Sequence, residues 1–305
     1  MQPSLRRKYV KKYFQDDVIV GPGRVGGVLC APASKSAMQR AVAIAALAAG
    51  RSTILNPAWC ADTEAALALV AGLGVHVEAT ESQVVIEGPA SVQAGGRLSL
   101  SCGESGLCLR MFSAVASLFD ADIELTAEGS LRQRPAAMVV EALQALGVAC
   151  TVDGGLPPVK VRGPLRSGTV RIDGAESSQF LTGLLVALPM TGGESVVHVS
   201  RLASKGYVDL TLDVMRSFGA VVKRAEDFSS ISIGPSPYRA SGYTVEGDWS
   251  GAAFALVAGA VASVDGVTVT GLSVSSSQPD RAILEALRLA GAPVCVDARD
   301  RKSVV

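Results

Sequence analysis

The residues best suited to chemistry sit at the starts of apolar segments. In Pro32-Ala33-Ser34-Lys35-Ser36-Ala37-Met38-Gln39-Arg40, Ser34 and Ser36 are good helix caps, and Lys35 and Arg40 add two cations. The first-turn N–H groups of a helix have no intrahelical partner and carry the positive end of its dipole. Arg40 falls four residues after Ser36, on the same helix face. Hydroxyl, ammonium and guanidinium would thus converge on an anion, although a capped helix with a solvated Lys and Arg uses the same residues. Four further segments agree in kind: Gly103-Glu104-Ser105-Gly106-Leu107-Cys108-Leu109-Arg110, Ser130-Leu131-Arg132-Gln133-Arg134-Pro135, Ser177-Ser178-Gln179 and Ser204-Lys205-Gly206-Tyr207. Gly106 would let a ligand approach the backbone closely, and Arg134 precedes a proline expected at the first helical position. Plain turn chemistry and surface arginines would look the same one at a time. Together they could hold a multiply charged phosphorylated ligand, at ~1.5–3 kcal/mol per charge-assisted contact. No Walker or dinucleotide pattern occurs, and two distant histidines cannot build a Ser/His/Asp set.

The elements that position these residues repeat. Gly74, Gly147, Gly219 and Gly291 each close a helix-like stretch before a Val- or Ala-containing run, at intervals of 72–73 residues. The first unit reads as helix Ser36–Ala49, strand Ser52–Leu55, helix Glu64–Leu73 capped by Asp62 and Thr63, and strands at 75–79 and 84–86. The other units place helices at 106–118, 135–146, 179–188, 208–218, 251–264 and 281–289, with short strands between them. The helices are apolar nearly all round and are expected to be buried inside the domain. The fold expected is α/β: repeated βαβαββ-type units with buried helices and surrounding sheets. The tail from Asp297 fits neither a cap nor a closing strand, and the chain is expected to be incomplete.

Composition narrows the class. With 49% hydrophobic and 18% charged residues, 305 residues can bury a large core, and 28 basic against 28 acidic residues leave no nucleic-acid footprint. Six cysteines (Cys30, Cys60, Cys102, Cys108, Cys150, Cys295) lack metal-ligand spacing and are expected as buried free thiols, so no metal and no cofactor is expected. His76 and His198 are expected on surface-facing strand positions. The start is basic (Arg6, Arg7, Lys8, Lys11, Lys12) with no apolar segment of a secretory signal, and Ala41–Ala49 is too short to span a bilayer. A cytoplasmic protein without membrane association is expected.

At these residues the chain resembles the 3-phosphoshikimate 1-carboxyvinyltransferase (EPSP synthase) family of the shikimate pathway. The resemblance runs from about Val20 to about Ala292 and rests on Ser34-Lys35-Ser36-x3-Arg40, Gly106-x3-Arg110, Arg134-Pro135, Ser177-Ser178-Gln179-Phe180-Leu181-Thr182, Ser204-Lys205-x-Tyr207 and Val245-Glu246-Gly247-Asp248. It implies a two-domain architecture around a cleft, with residues 22–242 as a three-repeat domain and 1–21 plus 243–305 as part of a second. It implies carboxyvinyl transfer from phosphoenolpyruvate to the 5-hydroxyl of shikimate 3-phosphate by a monomer, with glyphosate as the family's inhibitor. By the same resemblance, Ser36, Arg40, Ser177, Ser178 and Ser204 hold shikimate 3-phosphate. Gly106 and Arg134 hold phosphoenolpyruvate, Lys35 and Gln179 lie between the ligands, and Tyr207 packs beside the shikimate ring. Glu104 and Leu107 depart from the family's common Asn and Thr. Six such repeats would need roughly 430 residues. The family's catalytic carboxylates lie in repeats five and six, so no catalytic residue is assigned here and the chain alone is expected to be inactive. The sister enolpyruvyl transferase acting on UDP-N-acetylglucosamine usually has a Cys in the loop matching Leu131–Pro135 and an Asn after the lysine. It is one alternative, and a non-catalytic anion-binding module is another.

Overall fold

The computed structural model describes residues 21, 23–89, 96–175, 177–297 and 302–304. The basic positions 6–12 lie outside them. In chain order the elements are β1 (Val25–Cys30), α1 (Lys35–Leu47), β2 (Gly50–Leu55), α2 (Ala61–Gly72), β3 (His76–Ala79), β4 (Gln83–Gly88), β5 (Arg97–Ser101), α3 (Gly106–Ala116), β6 (Asp122–Thr126), α4 (Met138–Ala145), β7 (Ala149–Asp153), β8 (Leu156–Arg162) and β9 (Thr169–Asp173). There follow α5 (Gln179–Ala187), β10 (Ser195–Ser200), α6 (Lys205–Ser217), β11 (Lys223–Arg224), β12 (Ser230–Ile233), β13 (Gly242–Thr244), α7 (Trp249–Ala262), β14 (Ser263–Thr270), α8 (Ile283–Leu289), β15 (Cys295–Asp297) and β16 (Lys302–Val304).

The repeat is realised as four four-stranded sheets of one topology: β13-β2-β4-β3, β5-β6-β8-β7, β9-β10-β12-β11 and β1-β14-β16-β15. In each, the first pair is parallel and the other two are antiparallel. In two of the sheets one apolar helix joins the parallel pair, α3 between β5 and β6 and α5 between β9 and β10, as a crossover that covers one sheet face. In the other two the partners are exchanged: α1 runs from β1 to β2 and α7 from β13 to β14. Gly74, Gly147, Gly219 and Gly291 have φ of 88°, 82°, 85° and 84°. Each ends a helix in the left-handed region that glycine adopts without strain.

Helices α1, α3 and α5 pack against one another and are buried along almost their whole length. With α2, α4, α6 and three sheets they form one continuous core. A second core gathers Ala31, Trp249, Ala252, Leu256, Val267, Val269, Leu272, Leu284 and Leu287. Helix α7 departs from expectation: Trp249, Ala252, Leu256 and Gly259 are buried, but Phe254 and Val261 are 81% and 82% exposed. One sheet covers one face of this helix, and among the described residues it has no sibling helices like those that enclose α1.

The chain crosses between the cores twice. Ala33 bridges Gly247, Ser34 N donates to Glu246 O (2.8 Å), and Asp248 N donates to Pro32 O (2.7 Å). Strand β1 pairs with β14, whereas β13 pairs with β2.

Other expectations also change. Residues 302–304 form a closing strand against β14 and β15. The α2 cap is Cys60, whose N–H donates to Thr63 Oγ1 (3.2 Å), and Asp62 sits in the first turn. Pro135 lies ahead of α4. Cys102, Cys108 and Cys150 are buried, but Cys30 and Cys295 are exposed and Cys60 half-buried, because their strands and loop lie at the margins of the sheets. His76 is exposed on β3 and contacts Glu78, while His198 on β10 is half-buried.

Candidate active site

Six helix starts ring one cavity of about 1040 Å³. Those of α1, α2, α3, α5 and α6 come from the first core, and that of α7 comes from the second. At the starts of α1, α3, α5 and α7 a side-chain oxygen satisfies one N–H and leaves the other first-turn N–H groups open, whereas Ser204 at the start of α6 makes no such bond. Ser34 Oγ accepts from Ala37 N (3.4 Å), Ser105 Oγ from Cys108 N (3.2 Å), Ser177 Oγ from Gln179 N (3.0 Å) and Asp248 Oδ1 from Ser250 N (2.9 Å). All ten residues singled out from sequence line this cavity: Lys35, Ser36, Arg40, Gly106, Arg134, Ser177, Ser178, Gln179, Ser204 and Tyr207.

Arg40 is the unusual member. It is 1% exposed, and no carboxylate of the described residues lies within ion-pair distance. Its Nε donates to Thr211 Oγ1 (2.9 Å), Nη1 to Ser36 O (2.7 Å), and Nη2 to Thr182 Oγ1 and Tyr207 O (3.4 Å each). The Tyr207 ring centroid lies 5.7 Å from its guanidinium carbon. Burial pulls the Arg40 pKa down to about 10, so the group is still a cation at neutral pH. A buried cation without a counter-ion is costly, and an anion in the cavity would relieve that cost.

Lys35 Nζ stands 3.0 Å from Asp62 Oδ2. Burial alone would lower its pKa, but the hydrogen bond and charge of Asp62 outweigh burial and hold it above the ordinary lysine value. Arg110, one turn into α3, donates from Nη1 to Gln179 Oε1 (2.8 Å) and from Nη2 to Pro135 O (3.0 Å). It thereby ties α3, α5 and the loop bearing Arg134 around Gly106. A Cβ on Gly106 would lie 3.3 Å from Arg110 Nη1, 3.4 Å from Gln179 Oε1 and 3.6 Å from Arg134 Nη1. Arg132 instead donates to Ala127 O (3.1 Å) and does not line the cavity.

Glu104 reaches the cavity rim, but its Oε2 accepts from Ser130 N (3.0 Å), so the loop backbone binds a charge that would otherwise repel an anion. Sequence reasoning missed other lining groups. Asn56 (φ 53°) donates from Nδ2 to Val245 O (2.8 Å), fastening β2 to the second crossing. Gln39 is fully buried. Its Nε2 donates to Ser105 Oγ (2.8 Å), while its Oε1 has no partner among the described residues. For Gln39 the signal in the sequence is an amide within an otherwise apolar helix. Among the described residues no cluster of metal-ligating side chains occurs, and no helix is long and apolar enough to cross a membrane.

The family model for EPSP synthase (3-phosphoshikimate 1-carboxyvinyltransferase) matches residues 19–304. The 3-phosphoshikimate 1-carboxyvinyltransferase of Aeropyrum pernix is 40% identical over 284 residues, covering 92% of this chain and 64% of that protein. Those of Methanothermobacter thermautotrophicus (39%; 89% and 64% covered) and Methanocorpusculum labreanum (35%; 93% and 67%) are similarly close. The solved structure of EPSP synthase from Acinetobacter baumannii superposes with a TM-score of 0.75 at 25% identity, covering 93% of this chain and 64% of that one. The chain thus spans about two thirds of the length of the proteins it matches. With a match over nearly all its residues and the same α/β architecture, the chain belongs to the EPSP synthase family.

Proposed function

We propose that the cavity binds shikimate 3-phosphate, and that the enzyme to which these residues belong transfers the carboxyvinyl group of phosphoenolpyruvate to its 5-hydroxyl. The observation that carries this reading is the buried Arg40 guanidinium, which faces the cavity without a carboxylate among the described residues. A phosphate monoester carries about −1.5 to −2 charges at neutral pH. Such a dianion matches one fixed cation, the hydroxyls of Ser36, Ser177, Ser178 and Ser204, and the open N–H groups of two helix starts. Tyr207 supplies a flat wall for the six-membered ring. On the far side, Gly106 leaves room for phosphoenolpyruvate, and Arg134 offers a planar fork to its carboxylate or phosphate. Lys35 and Gln179 lie between the two ligands.

In the reaction the 5-hydroxyl gives up its proton as its oxygen bonds to C2 of phosphoenolpyruvate, and the electron pair of the broken C2=C3 π bond takes up a proton at C3, giving a tetrahedral adduct. Loss of a C3 proton with departure of phosphate then restores the vinyl group. The tasks we assign to this chain's own residues are binding and orientation of shikimate 3-phosphate and closure of the phosphoenolpyruvate half-site. The two cores are proposed as two domains joined at the crossings near residues 31–34 and 245–248. The same reading makes the protein a cytoplasmic monomer.

Calorimetric titration of the 305-residue chain with shikimate 3-phosphate tests the reading. One binding event, competed by excess inorganic phosphate and weakened at least about thirtyfold by Arg40→Met, is expected. No heat with shikimate 3-phosphate, alongside binding of UDP-N-acetylglucosamine, would replace it with the sister reaction.

A further inference from the structure

The segment leading into α8 reaches across from the second core and touches three of the helix starts that ring the cavity. Gln278 is 3% exposed. Its Oε1 accepts from Trp249 N (3.0 Å) and Ser34 Oγ (3.4 Å), and its Nε2 donates to Gly247 O (2.8 Å). The start of α1 and the start of α7 are therefore pinned by one side chain. Next in the chain, the Pro279 ring seats on Gly206, where an added Cβ would stand 2.8 Å from Pro279 Cβ and 3.3 Å from its Cα. Then Asp280 Oδ2 accepts a 2.8 Å hydrogen bond from the Tyr207 hydroxyl. Tyr207 is consequently held at both ends. Its carbonyl accepts from Arg40 and from Thr211 Oγ1 (2.8 Å), and its hydroxyl is anchored on a residue of the other core. Burial, with the Asp280 bond and charge added to it, raises the phenol pKa and keeps the hydroxyl a donor.

We infer that Asp280, which does not itself line the cavity, is a positioning residue that fixes the Tyr207 ring against Arg40 and so shapes the shikimate-ring side of the site from the second core. This rests on the reading of the cavity as a shikimate 3-phosphate site. It has a consequence opposite in sign to simple electrostatics. Removing a carboxylate near an anion site should tighten anion binding on charge alone, and added salt should erase the gain. Loss of positioning should weaken binding with little dependence on salt.

The experiment is a cycle of Asp280→Ala, Tyr207→Phe and the double variant, with Asp280→Asn as the conservative replacement. Shikimate 3-phosphate affinity is measured by calorimetry at low and high salt, and each melting temperature is recorded. Each single variant should bind about three- to tenfold more weakly, and the double variant no more weakly than either, because both remove one bond. Asp280→Asn, whose amide oxygen can accept the same hydroxyl, should stay within about twofold of the parent. Unchanged or tighter binding by Asp280→Ala, or losses that multiply in the double variant, would overturn the inference while leaving the functional reading standing. A drop in melting temperature shared by Asp280→Ala and Asp280→Asn with equal loss of affinity would also overturn it, since a general structural defect would then suffice. A parent chain that does not bind shikimate 3-phosphate would overturn the functional reading and this inference together.

Discussion

Replacing Arg40 by methionine separates what this residue does for the fold from what it does for a ligand. The guanidinium is 1% exposed, and burial depresses its pKa from 12.5 to about 10. At 1.36 kcal/mol per unit this makes the buried cation roughly 3 kcal/mol less favourable than a solvated one. Against that stand four hydrogen bonds to Thr211, Ser36, Thr182 and Tyr207, each worth ~0.5–1.5 kcal/mol net. The two contributions nearly cancel. The partners also keep alternatives: Thr182 Oγ1 and Thr211 Oγ1 lie 3.2 Å apart, and they donate to Ser178 O and Tyr207 O. Methionine fills a similar length without charge, so stability should move by no more than ~2 kcal/mol, a shift of several degrees at most. Affinity should behave differently. Deleting one partner of a buried, hydrogen-bonded charge pair costs ~2–5 kcal/mol, which corresponds to at least about a thirtyfold loss for shikimate 3-phosphate. Parallel calorimetry and thermal melts measure both quantities. The parent should also gain melting temperature with ligand, and the variant should not. Arg40→Met affinity within threefold of the parent, or a collapse of stability that accounts for the whole loss, would refute the role of Arg40 as the anion's counter-charge.

Three further perturbations follow from the packing. Gly106 opens α3 with φ outside the left-handed region, so Gly106→Ala should leave the melting temperature unchanged or up to ~1 kcal/mol more favourable. In the full-length enzyme the methyl group, 3.3–3.6 Å from Arg110, Gln179 and Arg134, should raise the KM for phosphoenolpyruvate and blunt glyphosate, and lost shikimate 3-phosphate affinity instead would reverse the two half-sites. Gly183 is where α5 crosses α3: a Cβ there would meet Met111 O at 2.6 Å and Met111 Cα at 2.9 Å, so Gly183→Ala should cost ~1–3 kcal/mol in denaturant unfolding, and an unchanged midpoint would contradict the packing. Burial raises the carboxyl pKa of Glu246, so above that raised value the folded protein carries an ionised group against its desolvation cost. Glu246→Gln should therefore raise the melting temperature at neutral pH, and the gain should vanish below about pH 4, where the carboxyl is protonated folded and unfolded alike. A gain independent of pH would point to packing instead.

The amino-acid sequence alone determined the local grammar of this protein. A left-handed glycine every 72–73 residues, apolar inner helices and serine-rich helix starts are set by backbone sterics and side-chain chemistry within a few residues, and the chain obeys them at Gly74, Gly147, Gly219 and Gly291. The donor-rich segments that carry the ten proposed site residues were legible for the same reason, whereas the roles proposed for them rest on the family resemblance. Tertiary structure decided what those starts surround. Strands β5, β9 and β13 have weak patterns of their own and exist through their partners. Gly242 pairs with Thr53, almost the length of the first core away in sequence, and Val25 pairs with Ser263. No local rule shows that Arg40 is buried without a counter-ion, that Asp62 meets Lys35, or that Glu104 is bound by the Ser130 amide. Nor does one show that Gln278 and Asp280 reach from the second core onto Ser34 and Tyr207. These contacts join residues as much as 244 positions apart, and their chemistry depends on burial and distance, which only the folded chain defines.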